Sequence, residues 1–317
     1  MDRNLALEAV RVTEAAALAA ARLMGRGDVA ATDRAASIAM RKAFESIAIN
    51  GRVGISEEDP SGDTSLQVGE SVGNGNGPEV DVALDALEGA SICASGGFNA
   101  LSIIALAERG GFLSCPETWM EKIVVGPEGA GCIDLDKSAS ANLRALAEAK
   151  GVYVADLTVA MLDRPRHESL IQEVRRAGAR IRLLADGDVA PAVATAKPDA
   201  GIDMLLGVGG SLQGILTAAA VRCTGGDMQA RVRPRNPEEA DRLRSAGFTD
   251  LTRKYTLDDM ASGSVMFAAT GVTNGDLLRG VRFFKGGATS NSIVMRSRTH
   301  TLRFIEAVHR FDLKPEY

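Results

Sequence analysis

Three apolar runs in the second half of the chain, LTVAMLD, RIRLLADGD and IDMLLGVGG, are separated by segments of helical character. That alternation implies strands and helices taking turns, and hence a mostly parallel α/β sheet. Each run ends in charged residues or glycines. In such sheets ligands gather beyond the carboxyl ends of the strands, so those ends are the first place to look for chemistry. Two later segments, SVMFAATG and SIVMRSRT, supply further strands.

The chain has 317 residues, 45% of them hydrophobic, enough for one large or two modest domains. A change of rhythm near residue 150 suggests an N-terminal α+β unit over residues 1–152 and a C-terminal α/β unit over 153–317. The formal net charge of -5 argues against nucleic acid as the main partner. Cys93, Cys115, Cys132 and Cys223 are widely spaced with no CxxC, which suggests neither a zinc site nor a disulfide framework, and a reducing cytoplasm fits best. The alanine-rich residues 15–21 imitate a signal segment. Glu8, Arg11, Glu14 and Arg22 interrupt the stretch at helical spacing, so an amphipathic helix is the better reading. No run approaches the ~18 to 20 apolar residues that a membrane span needs.

Residues 4–24 read as a helix ended by Gly25, followed by the loop GRGD. Thr32 or Asp33 is expected to cap a second helix running to Ile47. A short strand over 53–56 runs into Glu57, Glu58 and Asp59, and residues 60–63 have turn chemistry. A glycine-rich loop or hairpin covers 69–79. Val80, Val82 and Leu84 alternate with Asp81, Ala83 and Asp85, a period-2 strand, and further strands are expected over 101–107 and 122–125.

Several carboxylates, Asp33, Glu57, Glu58, Asp59, Asp81, Asp85 and Glu88, fall at element ends. Hard divalent cations want several such oxygens; the same residues also read as solvated acids at turns. Arg164 and Arg166 follow the strand LTVAMLD, where two guanidiniums suit a phosphate or simply make a basic turn. Asp186 and Asp188 could bind sugar hydroxyls or, for Asp188 above all, cap the next helix. The GVGGS turn over 207–211 lets backbone amides approach an anion at a helix start. Trp119 reads equally as a ligand platform or a core residue. His167 reads as a helix-start or exposed residue rather than a catalyst, and Cys93 and Cys223 as core.

Together the segments RVTEAAALAAARLMGRGD, DVALDALEGA, NALSIIALAERG, MEKIVVGP, RPRH, ADGDVA, GVGG, FAATGVTNGDLLRGV and RSRTHTLRFIEAVH resemble the class II fructose-1,6-bisphosphatases over nearly the whole chain. The resemblance implies an α/β sugar phosphatase fold, layered α/β/α/β/α and related to the inositol monophosphatases. It implies Mg²⁺ or Mn²⁺ as cofactor, a phosphorylated sugar as substrate, a water attacking the 1-phosphate in line, and assembly as a homodimer or homotetramer. It places metal ligands at Asp33, Glu57, Asp85, Glu88 and Gln213, and catalytic carboxylates at Glu57, Asp59 and Asp85. Substrate contacts fall on Trp119, Arg164, Arg166, Asp186, Asp188 and Gly210.

The chain departs from the family pattern at the centre. The motif D-P-I-E-G-T reads Asp85-Ala86-Leu87-Glu88-Gly89-Ala90, so the proline and the threonine are gone. The acidic turn G-E-G-E reads Ser56-Glu57-Glu58-Asp59. The first-loop lysine is Val29, the tyrosine before M-E-K is Trp119, and an acidic metal ligand is Gln213. Losing the hydroxyl removes a group that positions the attacking water, and Gln for Glu removes a negative charge from the metal shell. Three readings follow: a working phosphatase with an altered centre, a divergent enzyme acting on a related sugar phosphate in a specialised pathway, and a catalytically inactive sugar-phosphate-binding protein.

Overall fold

The computed structural model describes residues 5–57 and 66–313. The first half builds α1 (Leu5–Ala21), α2 (Val29–Phe44), β1 (Asn50–Ile55), β2 (Ser71–Val72), β3 (Glu79–Glu88), α3 (Ala90–Ser95), β4 (Leu101–Ala107), β5 (Trp119–Val125) and α4 (Ala139–Lys150). Then come β6 (Thr158–Leu162), α5 (Glu168–Ala177), β7 (Arg180–Leu184), α6 (Val189–Ala194), β8 (Met204–Gly210), α7 (Ser211–Thr224), β9 (Asp227–Arg233), α8 (Pro237–Ser245), β10 (Tyr255–Thr256) and α9 (Leu257–Met260). Four strands follow: β11 (Val265–Gly271), β12 (Arg282–Phe284), β13 (Gly287–Arg296) and β14 (Thr301–Arg310).

An eight-stranded sheet runs β12-β13-β11-β4-β3-β1-β2 with β14 paired to β13, and a six-stranded sheet runs β10-β9-β5-β8-β6-β7. Three core clusters show how these sheets stack. Residues of α1 and α2 pack on one face of the first sheet through Ile104, Leu106 and Met266. Ile103, Ala105 and Phe267 face the other way, onto α6, α7 and the inner face of the second sheet. The outer face of the second sheet packs on α4 and α5 through Ile123, Val159 and Met161. The result is the expected α/β/α/β/α layering. β4 is buried on both faces, which is why its sequence, LSIIALA, is apolar at nearly every position.

The structure corrects four local expectations. Asp28, not Thr32 or Asp33, caps α2: its side chain accepts from Ala31 N, and Thr32 and Asp33 lie inside the helix. The strand expected over 53–56 runs instead from Asn50 to Ile55. The second sheet is mixed rather than mostly parallel. β6 pairs parallel with β7 and β8, but β5 pairs antiparallel with both β8 and β9, and β10 with β9. The reason is that β5 enters from the first half of the chain and inserts at the centre of the second sheet. Likewise β11, β13 and β14 return to the first sheet, so sheet membership cuts across residue 152. Asp85, expected at an element end, sits inside β3, whose last residue is Glu88, and a register shift against β4 separates the two. Among the described residues no helix is long and apolar enough to cross a membrane, and all four cysteines are free.

Candidate active site

The strand ends of both sheets converge on one cleft of about 590 Å³. From the first-sheet side come Asp33 on α2, Glu57 just past β1, Asp85 and Glu88 on β3, and Ala90 at the start of α3. From the second come Trp119 at the start of antiparallel β5, Arg164 and Arg166 past β6, Asp186 and Asp188 past β7, Gly210 and Gln213 at the β8–α7 junction, and Arg235 past β9. Thus the candidate residues within the described segments share one space, except Asp81, which lies outside the cleft and pairs with Arg109 at 3.0 Å. Glu58 and Asp59 lie outside the described residues.

One wall is acidic and crowded. The Glu57 carboxyl is pushed up to about 8, chiefly by the charge of Asp85 and then by burial and Asp33. Burial pushes Asp85 up to about 7, with Asp33 adding to it and a hydrogen bond from Gln213 opposing it. Glu88 is raised well above the usual carboxylate range by burial, then by Asp188 and Asp85. Its Oε1 accepts from Val189 N at 3.3 Å, whereas its buried Oε2 has no hydrogen-bond partner. Gln213 Nε2 donates to Asp85 Oδ2 at 3.0 Å. Such mutual repulsion is what a bound cation relieves, and an unpartnered buried carboxyl oxygen is a lone pair left for a cation to take. The chemistry of this set therefore fits a hard divalent cation. Among the described residues, however, no three acidic, histidine or cysteine side chains stand arranged to hold one as they are.

The opposite wall is basic. Arg166 donates from Nε and Nη2 to the Val208 carbonyl, at 3.1 and 2.7 Å, and lays its guanidinium 4.4 Å from the centre of the Trp119 ring. The indole thus carries an arginine. Arg164 Nη2 lies 3.8 Å from Asp186 Oδ1, and Ser91 Oγ donates to Asp186 Oδ2 at 2.6 Å. Asp188 stands at the N-cap of α6, but its carboxylate makes no capping bond to that helix. It forms instead a buried ion pair with Lys122, 2.7 Å long. His167 begins α5 as expected but is buried rather than exposed: Nδ1 meets Leu162 O at 2.7 Å and Nε2 accepts from Val208 N at 2.8 Å. Those two bonds fix the neutral tautomer with the proton on Nδ1, and burial lowers its pKa. His167 and Arg166 together hold the Val208 peptide, hence the approach of β8 to the cleft.

Ser91, Lys122 and Arg235 were not legible as site residues. Lys122 sits in the apolar strand MEKIVV, where a lysine reads as pointing to solvent. Arg235 sits in RVRPR, which reads as one solvated basic face.

Residues 3–309 match the family model described as "Bacterial fructose-1,6-bisphosphatase, glpX-encoded". A D-fructose 1,6-bisphosphatase class 2/sedoheptulose 1,7-bisphosphatase of Synechococcus elongatus is 38% identical over 337 aligned positions, covering 98% of this chain and 98% of the relative. A protein of the same description from Synechococcus sp. strain JA-3-3Ab is 37% identical, covering 98% of this chain and 97% of its own.

Proposed function

Because the chain belongs to the class II bacterial fructose-1,6-bisphosphatase family of phosphoric monoester hydrolases, we propose that it is a metal-dependent phosphatase of a phosphorylated sugar with a weakened catalytic centre. The observation that carries this reading is the cleft with an acidic wall facing a basic one. A sugar phosphate with a divalent cation complements both.

Asp33, Glu57, Asp85 and Glu88 are the residues that would hold Mg²⁺ or Mn²⁺, with Gln213 beside them. When bound, the cation would offset charge on the phosphoryl oxygens and lower the pKa of a water so that it can give up a proton and act as nucleophile. The chain's own residues do the rest. Arg166 and Arg164 bind phosphate oxygens. Asp186 and Asp188 accept from sugar hydroxyls. Gly210, without a side chain, leaves the start of α7 open, where the helix dipole favours an anion. Glu57, Asp85 and Asp59 are the candidates to take the proton from the attacking water. With no cation among these carboxyls, repulsion from Asp85 and then burial and Asp33 push Glu57 toward its protonated form, in which it is no base.

Two features support a weakened centre. Ala90 offers no hydroxyl where the family motif has one. Gln213 contributes no charge and directs its amide N–H at Asp85. The second of these also favours another reading, a sugar-phosphate-binding protein without turnover. Phosphate release from a panel of sugar mono- and bisphosphates, with Mg²⁺ and with Mn²⁺, decides between them. Slow, metal-dependent release supports the phosphatase; tight binding with no release supports the binding protein. We expect a cytoplasmic homodimer or homotetramer.

A further inference from the structure

We propose that Arg235 is a substrate-binding residue that, with Arg166, grips the phosphate remote from the carboxylate wall and so sets a preference for bisphosphorylated sugars. This rests on the reading of the cleft as a sugar-phosphate site.

Arg235 lines the cleft just past β9. Its guanidinium carbon lies 6.0 Å from the centre of the Trp119 ring, the same indole against which Arg166 rests at 4.4 Å. Two cations at one aromatic ring repel each other, and a shared dianion is what offsets that repulsion.

The side chain is also held in place. Glu239 is buried, and its Oε1 takes Nε of Arg235. Its Oε2 accepts from Thr118 Oγ1 at 3.0 Å and from the Arg235 backbone N at 2.9 Å. Glu239 is itself fixed, because Asn236 caps α8 by accepting from its N–H at 2.8 Å. An arginine oriented by a buried carboxylate has little rotamer freedom left to lose on binding. Yet the Arg235 side chain remains 38% exposed, so the guanidinium is anchored on one side and presented on the other. That is the arrangement a guanidinium needs for directed contact with phosphate oxygens. Trp119 is then a shelf for two arginines.

The test is calorimetry in Mg²⁺ with fructose 1,6-bisphosphate, fructose 1-phosphate and fructose 6-phosphate, on wild type, Arg235→Ala and Arg235→Lys, with melting curves to verify the fold. In Arg235→Ala the bisphosphate and one monophosphate should weaken about tenfold, the loss of one charge-assisted contact at a partly exposed site. The other monophosphate, whose phosphate occupies the carboxylate wall, should bind as before. Arg235→Lys keeps the ion pair with Glu239 but loses the planar fork, and should recover only part of the loss; it carries the test if the alanine variant does not fold. Unchanged affinity for all three ligands, or an equal loss for all three, would overturn the proposal while leaving the sugar-phosphate site standing. A wild type that binds none of them would overturn both.

Discussion

Gln213 Nε2 donates to Asp85 Oδ2 over 3.0 Å, tying the start of α7 in one sheet's connection to β3 of the other. A carboxylate at position 213 could not make this bond; it would add a further carboxyl to the crowded wall of Asp85, Glu57 and Asp33. The amide therefore quiets the acidic wall in the absence of a cation and leaves less charge to attract one. In calorimetry with Mg²⁺ and Mn²⁺, Gln213→Glu should bind at least tenfold more tightly than wild type. Asp85→Ala should not bind measurably. Equal binding by Asp85→Ala and wild type would remove Asp85 from the ligand set.

The Lys122–Asp188 pair is almost fully shielded from water, with side chains 1% and 6% exposed. Removing one partner of such a pair leaves an uncompensated buried charge, a loss of about 3 to 5 kcal/mol. Urea denaturation of Lys122→Met should show a loss of that size. Lys122→Met with Asp188→Asn should recover a good part of it, because no unpaired charge remains. A double variant as unstable as the sum of the two single variants would show that the pair acts through packing.

His167 links acid stability to the cleft. Its folded-state pKa lies below its usual 6.5, first because of burial. The folded protein thus resists a proton that the unfolded chain accepts. The neutral imidazole contributes stability in full above about pH 6.5 and loses it as pH falls toward the lower folded value. Glutamine keeps one donor and one acceptor but does not titrate. The gap in melting temperature between wild type and His167→Gln should narrow as pH drops from 7.5 to 5. A constant gap would show that His167 is not the titrating group.

Phosphate recognition by Arg166 is expected to be strongly coupled to structure, since the same guanidinium holds the Val208 carbonyl. Arg166→Ala should weaken sugar-phosphate binding at least tenfold and flatten its salt dependence. Arg166→Lys should recover little, because one ammonium cannot both hold that carbonyl and lie flat on Trp119. An unchanged dissociation constant in Arg166→Ala would reduce the arginine to a brace for β8.

Local pattern carried much of the fold. β4 matches the strand expected over 101–107 because a strand buried on both faces writes a run apolar at nearly every position between polar ends. The start of α2 was missed because DVAATD offers three polar residues that can each cap, and only the backbone geometry selects Asp28. The mixed second sheet was missed because the pairing of β5 with β8 and β9 is non-local: it joins residues 79 to 114 positions apart. The carboxylate wall and the arginines past β6 were legible as residue types at strand ends. Lys122 and Arg235 were not, since their roles depend on burial and on a buried partner rather than on spacing.

Everything above turns on hydrolysis of a sugar phosphate in this cleft, at a centre weakened by Ala90 and Gln213. Its most direct test is the rate of phosphate release from fructose 1,6-bisphosphate, with Mg²⁺ and Mn²⁺, by wild type, Ala90→Thr, Gln213→Glu and the double variant. Each missing polar group at such a centre costs on the order of 10² to 10³ in rate, and two acting on one water and one cation should not simply multiply. Wild-type release should be slow, each single variant should gain, and the double variant should gain more but fall short of their product. Robust wild-type release, or a double variant that binds metal and substrate yet gains nothing, would contradict it.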